Sequence, residues 1–190
     1  MCAITAGCHV EVVSWSEHSA IPDCNDSTVG SGLPGYVKLN GNVIFNKSSC
    51  LGVGPGNNRG MHIQLIDPFN CSRIGFEQFD LYVDYGDEDG EEAEKLRKYL
   101  DQLGDFSVIV GSMGDEAHVS SSKALDALLT FGVDLSDVQY RGSYAFVAQK
   151  TSKKKELKKA LTAAESQKNP PRVNLIITGM HRGVSIYCSL

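Results

Sequence analysis

No apolar stretch in this 190-residue chain is long enough to cross a bilayer, which takes ~20 residues in a helix. Membrane insertion is therefore not expected. Positive charge is in deficit: 18 Lys and Arg stand against 23 Asp and Glu, a net charge of −5. A chain of that balance has no electrostatic basis for sequence-independent nucleic-acid binding. None of the six cysteines forms a C-x-x-C pair or has a His partner at zinc-ligand spacing, so a structural zinc site is not expected. The five histidines (His9, His18, His62, His118, His181) contain no H-x-x-x-H pair, and no G-x-S-x-G nucleophile turn occurs. The pair of acids that cleaves a glycosidic bond is defined by its separation in space, and nothing marks out two of the 23 acids. These absences point to a non-catalytic protein with no cofactor and no metal. The N-terminal Met1-Cys2-Ala3-Ile4 lacks the charged and apolar regions of a signal peptide, as mature secreted chains also do.

What is present points to the secretory pathway. Cys2, Cys8, Cys24, Cys50, Cys71 and Cys188 form an even set scattered along the chain, a pattern that suits disulfides in an oxidising compartment. Their pairing stays open at this stage. Three N-glycosylation sequons begin at Asn25, Asn46 and Asn70. Hydrophobic residues make up 42% of the chain, enough for a core, and the length fits one domain spanning 1–190.

The local patterns read as short strands and a few helices. His9 to Trp15 alternates polar and apolar residues, as a half-buried strand does. Residues 16–35 are rich in Ser, Pro, Asp and Gly and read as loop. Asn40-Gly41 between Tyr36–Leu39 and Asn42–Phe45 predicts a hairpin, because both residues accept the positive φ of a type I′ turn. Strands are expected at Met61–Asp67 and Phe76–Val83. Asp89 followed by Glu92 predicts a helix N-terminus, after which Leu96, Tyr99, Leu100 and Leu103 form one apolar stripe ending at Gly104. Phe106 to Val110 alternates little and reads as a central strand. A second helix is expected over 121–131, with Leu125, Leu128 and Leu129 facing inward and Gly132 ending it. Ser143–Gln149 reads as a strand, Lys153–Lys168 as a basic amphipathic helix, and Val173–Ile177 and Val184–Tyr187 as two last strands. The sum is an α+β domain: a mixed sheet or sandwich of short strands flanked by two or three helices and stabilised by disulfides.

Three other runs favour structural readings. The glycine-rich 52–60 loop precedes a strand rather than a helix and carries no Gly-Lys-Ser/Thr, so it does not read as a phosphate cradle. Asp84, Asp87, Glu88, Asp89, Glu91 and Glu92 do not follow calcium-loop spacing. Acids there suit a helix N-terminus. Lys153, Lys154, Lys155, Lys158 and Lys159 read as the solvated face of a helix.

The Arg59-Gly60 step into the strand Met61–Asp67, the Phe79-Asp80-Leu81-Tyr82 segment, the acidic pair Asp115-Glu116 after a buried strand, and Tyr140-Arg141-Gly142-Ser143-Tyr144 together resemble the interleukin-like EMT inducer (ILEI, or GG) domain family. A domain of that family also forms the stem of protein O-mannose β-1,2-N-acetylglucosaminyltransferase. The likeness is best over 37–150, with 1–36 and 151–190 as less typical extensions packed on the same domain. Gly142 stands where the family usually has Asp, and Tyr144 where it usually has Trp.

The resemblance implies a secreted binding module rather than an enzyme. In the glycosyltransferase stem the ligand is a sugar, and the matching positions here are Arg59, Asp115 and Arg141. A carboxylate accepts from two adjacent sugar hydroxyls, and a guanidinium donates to ring, hydroxyl or acetamido oxygens. Tyr140 supplies an aromatic ring for an apolar sugar face. The expected partner is a glycan of the N-acetylglucosamine or galactose type, with homo-oligomerisation to raise avidity. The plain alternative is that Asp115 makes a structural ion pair with Arg59 or Arg141. The alternative function is a cytokine-like ligand acting through a protein receptor.

Overall fold

A computed structural model describes residues 7–14, 36–46, 60–81, 83–84, 90–114, 122–135, 138, 143–150, 162–164, 172–181 and 184–188. Sheet A contains β1 (Cys8–Val13), β2 (Tyr36–Leu39), β3 (Asn42–Asn46), β9 (Arg172–His181) and β10 (Val184–Cys188), in the order β10-β9-β1-β2-β3. Sheet B contains β4 (Gly60–Asp67), β5 (Ser72–Phe79), β6 (Val108–Gly114), β7 (Ser143–Gln149) and β8 (Thr162–Ala164), in the order β5-β4-β6-β7-β8. Every described pairing is antiparallel. Helices α1 (Glu91–Gln102) and α2 (Ser122–Leu129) cover the face of sheet B that points away from sheet A. Strands and helices are both present, as an α+β domain requires, with sheet predominating among the described residues.

The period-two alternation of strands divides the core in two. On β6, Val108 and Val110 point toward sheet A, where they meet Val10, Val12, Val37, Leu39, Val173, Leu175 and Ile177. Ile109 and Met113 point the other way, into a cluster with Leu96 and Leu100 of α1 and Leu128 of α2. Both faces of β6 are therefore buried, and it is the middle strand of its sheet, as its weak alternation predicts. Gly111 completes the helix-side face: a Cβ there would come within 2.0 Å of the Phe146 ring. The ring of Phe146 fills the space that the glycine leaves.

Cys8 and Cys71 form a disulfide that ties β1 of sheet A to the β4–β5 turn of sheet B. Cys2, Cys24 and Cys50 lie outside the described residues, and of Cys188 only the backbone, in β10, is described. The Asn40-Gly41 turn is as expected, with φ of 48° and 80°. Its rung is reinforced where the Asn40 side-chain oxygen accepts from the His9 N–H at 2.9 Å.

Several local expectations need correction. The second strand of the β4–β5 hairpin is Ser72–Phe79, not Phe76–Val83. As an edge strand it is covered on one side only, so Ser72, Arg73 and Glu77 stay exposed and its apolar signal is weak. After Phe79 the chain turns, and Leu81 enters the helix-side core outside any strand. Helix α1 begins at Glu91 behind Gly90, with no cap from its own N-cap side chain. The cap comes instead from Asp84, whose carboxylate accepts the Ala93 N–H at 2.7 Å. Asp89 lies outside the described residues. At the other end, Lys150 donates to the carbonyls of Leu100 and Leu103 at 3.1 and 2.6 Å. An anion at the N-terminus and a cation at the C-terminus both favour the helix dipole.

In α2 the inward positions are Ala124, Ala127 and Leu128, with Phe131 beyond the last turn. Leu129, expected inside, is 47% exposed, because the short helix turns its 124–127–128–131 stripe to the core. Gly132 ends it with φ of 71°. Within the segment Lys153–Lys168, expected as a helix, Thr162–Ala164 is instead a strand paired with Ser143–Ala145, and the remainder lies outside the described residues.

Candidate binding end of sheet B

Arg59, Asp115, Tyr140 and Arg141 lie outside the described residues. The strand ends that they adjoin are described, and these are neighbours. Gly60, the residue after Arg59, opens β4 and is paired across the ladder with Gly114, the last residue of β6 and the one before Asp115. β7 pairs with the other side of β6 and begins at Ser143, two residues after Arg141. One end of three adjacent strands thus joins the three segments that the sequence separates.

The Arg-Gly step has a physical cause. Gly60 has φ of +93°, a conformation that costs an L side chain ~1–2 kcal/mol. A Cβ there would also stand 2.0 Å from the carbonyl oxygen of Phe79 on β5. Only glycine lets the start of β4 lie this close to the end of β5 while turning sharply.

The gap between β6 and β7 is held by a residue that the sequence reading did not single out. Regular pairing of these strands stops at Ser112↔Ala145, although both continue to Gly114 and Ser143. In the next position the Ser14 hydroxyl stands between them. It accepts the Met113 N–H at 2.9 Å and donates to the Tyr144 carbonyl at 2.5 Å. Ser14 is fully buried. A side chain from the end of β1 thereby replaces a backbone rung between the two strands. The sequence signal was present, since Ser14 interrupts an apolar run, but polarity in a strand does not say which backbone groups it serves.

Tyr144, at the position where the family usually carries Trp, is buried in the helix-side core, 6.2 Å from the Phe146 ring. Its hydroxyl donates to the Asp134 carbonyl at 3.2 Å. Burial first, and then the Asp134 charge, raises its pKa well above that of an ordinary phenol. The position serves packing.

A second polar constellation covers the outer face of sheet A. Tyr36 donates to Glu11 Oε1 at 2.6 Å, and the Lys38 ammonium stands 3.6 Å from the same carboxylate. Arg172 approaches it at 3.8 Å and also donates to the Tyr36 hydroxyl. The Tyr36 hydrogen bond above all, with the two cations, lowers the Glu11 pKa against the opposing effect of burial. Beside it, His9 Nε2 contacts Asn174 Oδ1. One carboxylate here serves two cations and a phenol.

The acids of α1 are engaged in the helix. Glu94 is held at about 2, first by its hydrogen bond with Arg97, and Lys95 bridges Glu91 and Glu92 at 3.2 and 2.6 Å. Among the described residues no group of three or more His, Cys, Asp or Glu converges to hold a metal. No described helix is long and apolar enough to cross a membrane.

Two comparisons with known proteins bear on this geometry. The model of the family described as interleukin-like EMT inducer matches residues 59–152. That span holds β4 to β7 and both helices, while all of sheet A comes from residues outside it. No curated protein matches the chain.

Proposed function

Since the chain belongs, through residues 59–152, to the interleukin-like EMT inducer family, we propose that it is a secreted, non-catalytic carbohydrate-binding protein. The observation that carries this reading is the meeting of strand ends at Gly60, Gly114 and Ser143, which adjoin Arg59, Asp115 and Arg141. Two guanidinium groups and one carboxylate at such an end present donors and acceptors to vicinal hydroxyls. Tyr140 adds a ring for an apolar sugar face. The Cys8–Cys71 disulfide supports an oxidising compartment. The ligand class is an N-acetylglucosamine- or galactose-type glycan, and oligomers of the chain raise its avidity.

A glycan array with the folded, oxidised protein tests this. Binding to at least one sugar class is expected, and Arg141→Ala abolishes it while shifting Tm by no more than about 2 °C. Folded protein that binds no glycan refutes the reading. A large fall in Tm with binding retained makes Arg141 structural.

The second reading, a cytokine-like ligand for a protein receptor, is favoured by apolar residues exposed on the β4–β5 hairpin. Phe69 is 74% exposed and Ile74 62%. Cell binding that free N-acetylglucosamine and galactose leave unchanged would support it over the lectin.

A further inference from the structure

Of the three sequons, Asn25 lies outside the described residues and Asn46 closes β3 with its backbone paired to Tyr36. Asn70 differs from both. It stands at the exposed apex of the β4–β5 hairpin, followed by Cys71 and by Ser72, which is also exposed. The apex is ordered by one carboxylate. Asp67 Oδ1 accepts the backbone N–H of Phe69 at 2.8 Å, and its Oδ2 accepts the Asn70 side-chain amide at 2.6 Å. A primary amide carries two hydrogens. The Asp67 bond uses one and leaves the other for replacement. The residue before it, Phe69, is 74% exposed, the largest exposure of any large apolar residue among the described residues.

We propose that Asn70 carries an N-linked glycan and that the first sugar of that glycan covers the Phe69 ring. The inference rests on the secretory reading above, but not on the chain binding sugars. In the step itself, Asn70 Nδ2 attacks the anomeric carbon of a lipid-pyrophosphate-linked oligosaccharide. The new C–N bond forms as the C–O bond to the pyrophosphate breaks. The pyrophosphate leaves with the electron pair, and the amide nitrogen gives up one proton. The hydrogen that remains on Nδ2 is the one that Asp67 accepts, so the turn keeps its geometry in the modified protein. The apolar face of a pyranose ring against Phe69 removes from water an aromatic surface that the fold leaves bare.

The whole chain, expressed in the secretory pathway of a eukaryotic cell, is analysed by peptide mass spectrometry before and after enzymatic removal of N-glycans. The Asn70 peptide is expected to carry a glycan in most molecules, and Ser72→Ala should leave Asn70 bare without altering the other sequons. A secreted chain with Asn70 unmodified overturns this proposal alone. A chain that an added signal peptide delivers to the pathway but that misfolds and is retained overturns the secretory reading and this proposal with it. The ring contact is read from Tm. Phe69→Ala should lower Tm by about 2 °C in the glycosylated protein and leave it unchanged in the Ser72→Ala background. Equal shifts in both backgrounds refute the ring–sugar contact.

Discussion

Replacing Gly60 with alanine tests the account of the Arg-Gly step most directly. Two costs arise there, and a second glycine separates them. The first is conformational: φ of +93° is foreign to an L residue, at ~1–2 kcal/mol. The second is steric. The added methyl would lie 2.0 Å from the Phe79 carbonyl oxygen and 2.9 Å from the Asp80 Cα, both backbone atoms. No side chain can rotate away, so the end of β5 must move by roughly an ångström, and overpacking of that kind costs ~1–3 kcal/mol. The adjacent rung, Met61↔Phe79, is the first to suffer. Gly41 has a similar φ of +80° but nothing within 4 Å of its would-be Cβ. Gly41→Ala therefore carries the conformational cost alone. Urea unfolding should place Gly60→Ala ~2–5 kcal/mol below the parent, a large share of the ~5–15 kcal/mol that holds a domain. Gly41→Ala should lose only ~1–2 kcal/mol. With slopes of ~1–3 kcal/mol per molar urea, the Gly60 midpoint falls by roughly 0.7 M or more. If the two variants lose the same stability within ~0.5 kcal/mol, close approach of β4 and β5 is not what the glycine permits.

Three further outcomes can be measured. Cys8→Ser with Cys71→Ser opens a bridge that spans 63 positions in sequence. Chain entropy puts the loss near ~4 kcal/mol at most, and a change in Tm under ~2 °C would mean the link constrains little. Ser14→Ala removes a hydroxyl that serves both Met113 and Tyr144. It should cost ~1–3 kcal/mol and speed hydrogen exchange at the Met113 amide; unchanged protection there would refute the bridging role. Glu11→Gln should flatten the acid limb of stability. The folded-state pKa of Glu11 is depressed below its ordinary 4.5, so its contribution is present above that value and fades as pH falls through the folded pKa. Urea midpoints at about pH 7 and about pH 3 should therefore differ less in the variant than in the parent.

The parts legible in the sequence were those whose cause is local. Asn40-Gly41 announces its turn because two positive φ angles need those residues, and Leu96 and Leu100 announce a helix because one stripe must meet a core. β6 declares itself central because it is apolar on both faces. Features decided by distant partners were not legible. The cap on α1 comes from Asp84, outside the helix, whereas the local pattern pointed to Asp89. Ser72–Phe79 is polar because its sheet ends there, which only the strand order reveals. Leucine character alone points Leu129 inward, while Ala124 and Ala127 hold the inner face, where small residues let α2 lie close to α1. At the candidate site, the resemblance pointed to three residues far apart in sequence. The ladder Gly60↔Gly114 brings their adjoining strand ends together, a register that no local pattern encodes.

The placing of β1 also bears on how the polypeptide is made. It lies between β2, which follows soon after it, and β9, whose Ile177 pairs with Cys8. A nascent chain emerging from the ribosome can assemble β4 to β7 with both helices, yet it holds Val10 and Val12 beside a vacant neighbour until Arg172 and the residues beyond have been translated. Through that interval β1 is an unpaired margin, the kind of surface that chaperones mask and that aggregates recruit. A chain cut short before Arg172 would keep this margin permanently open.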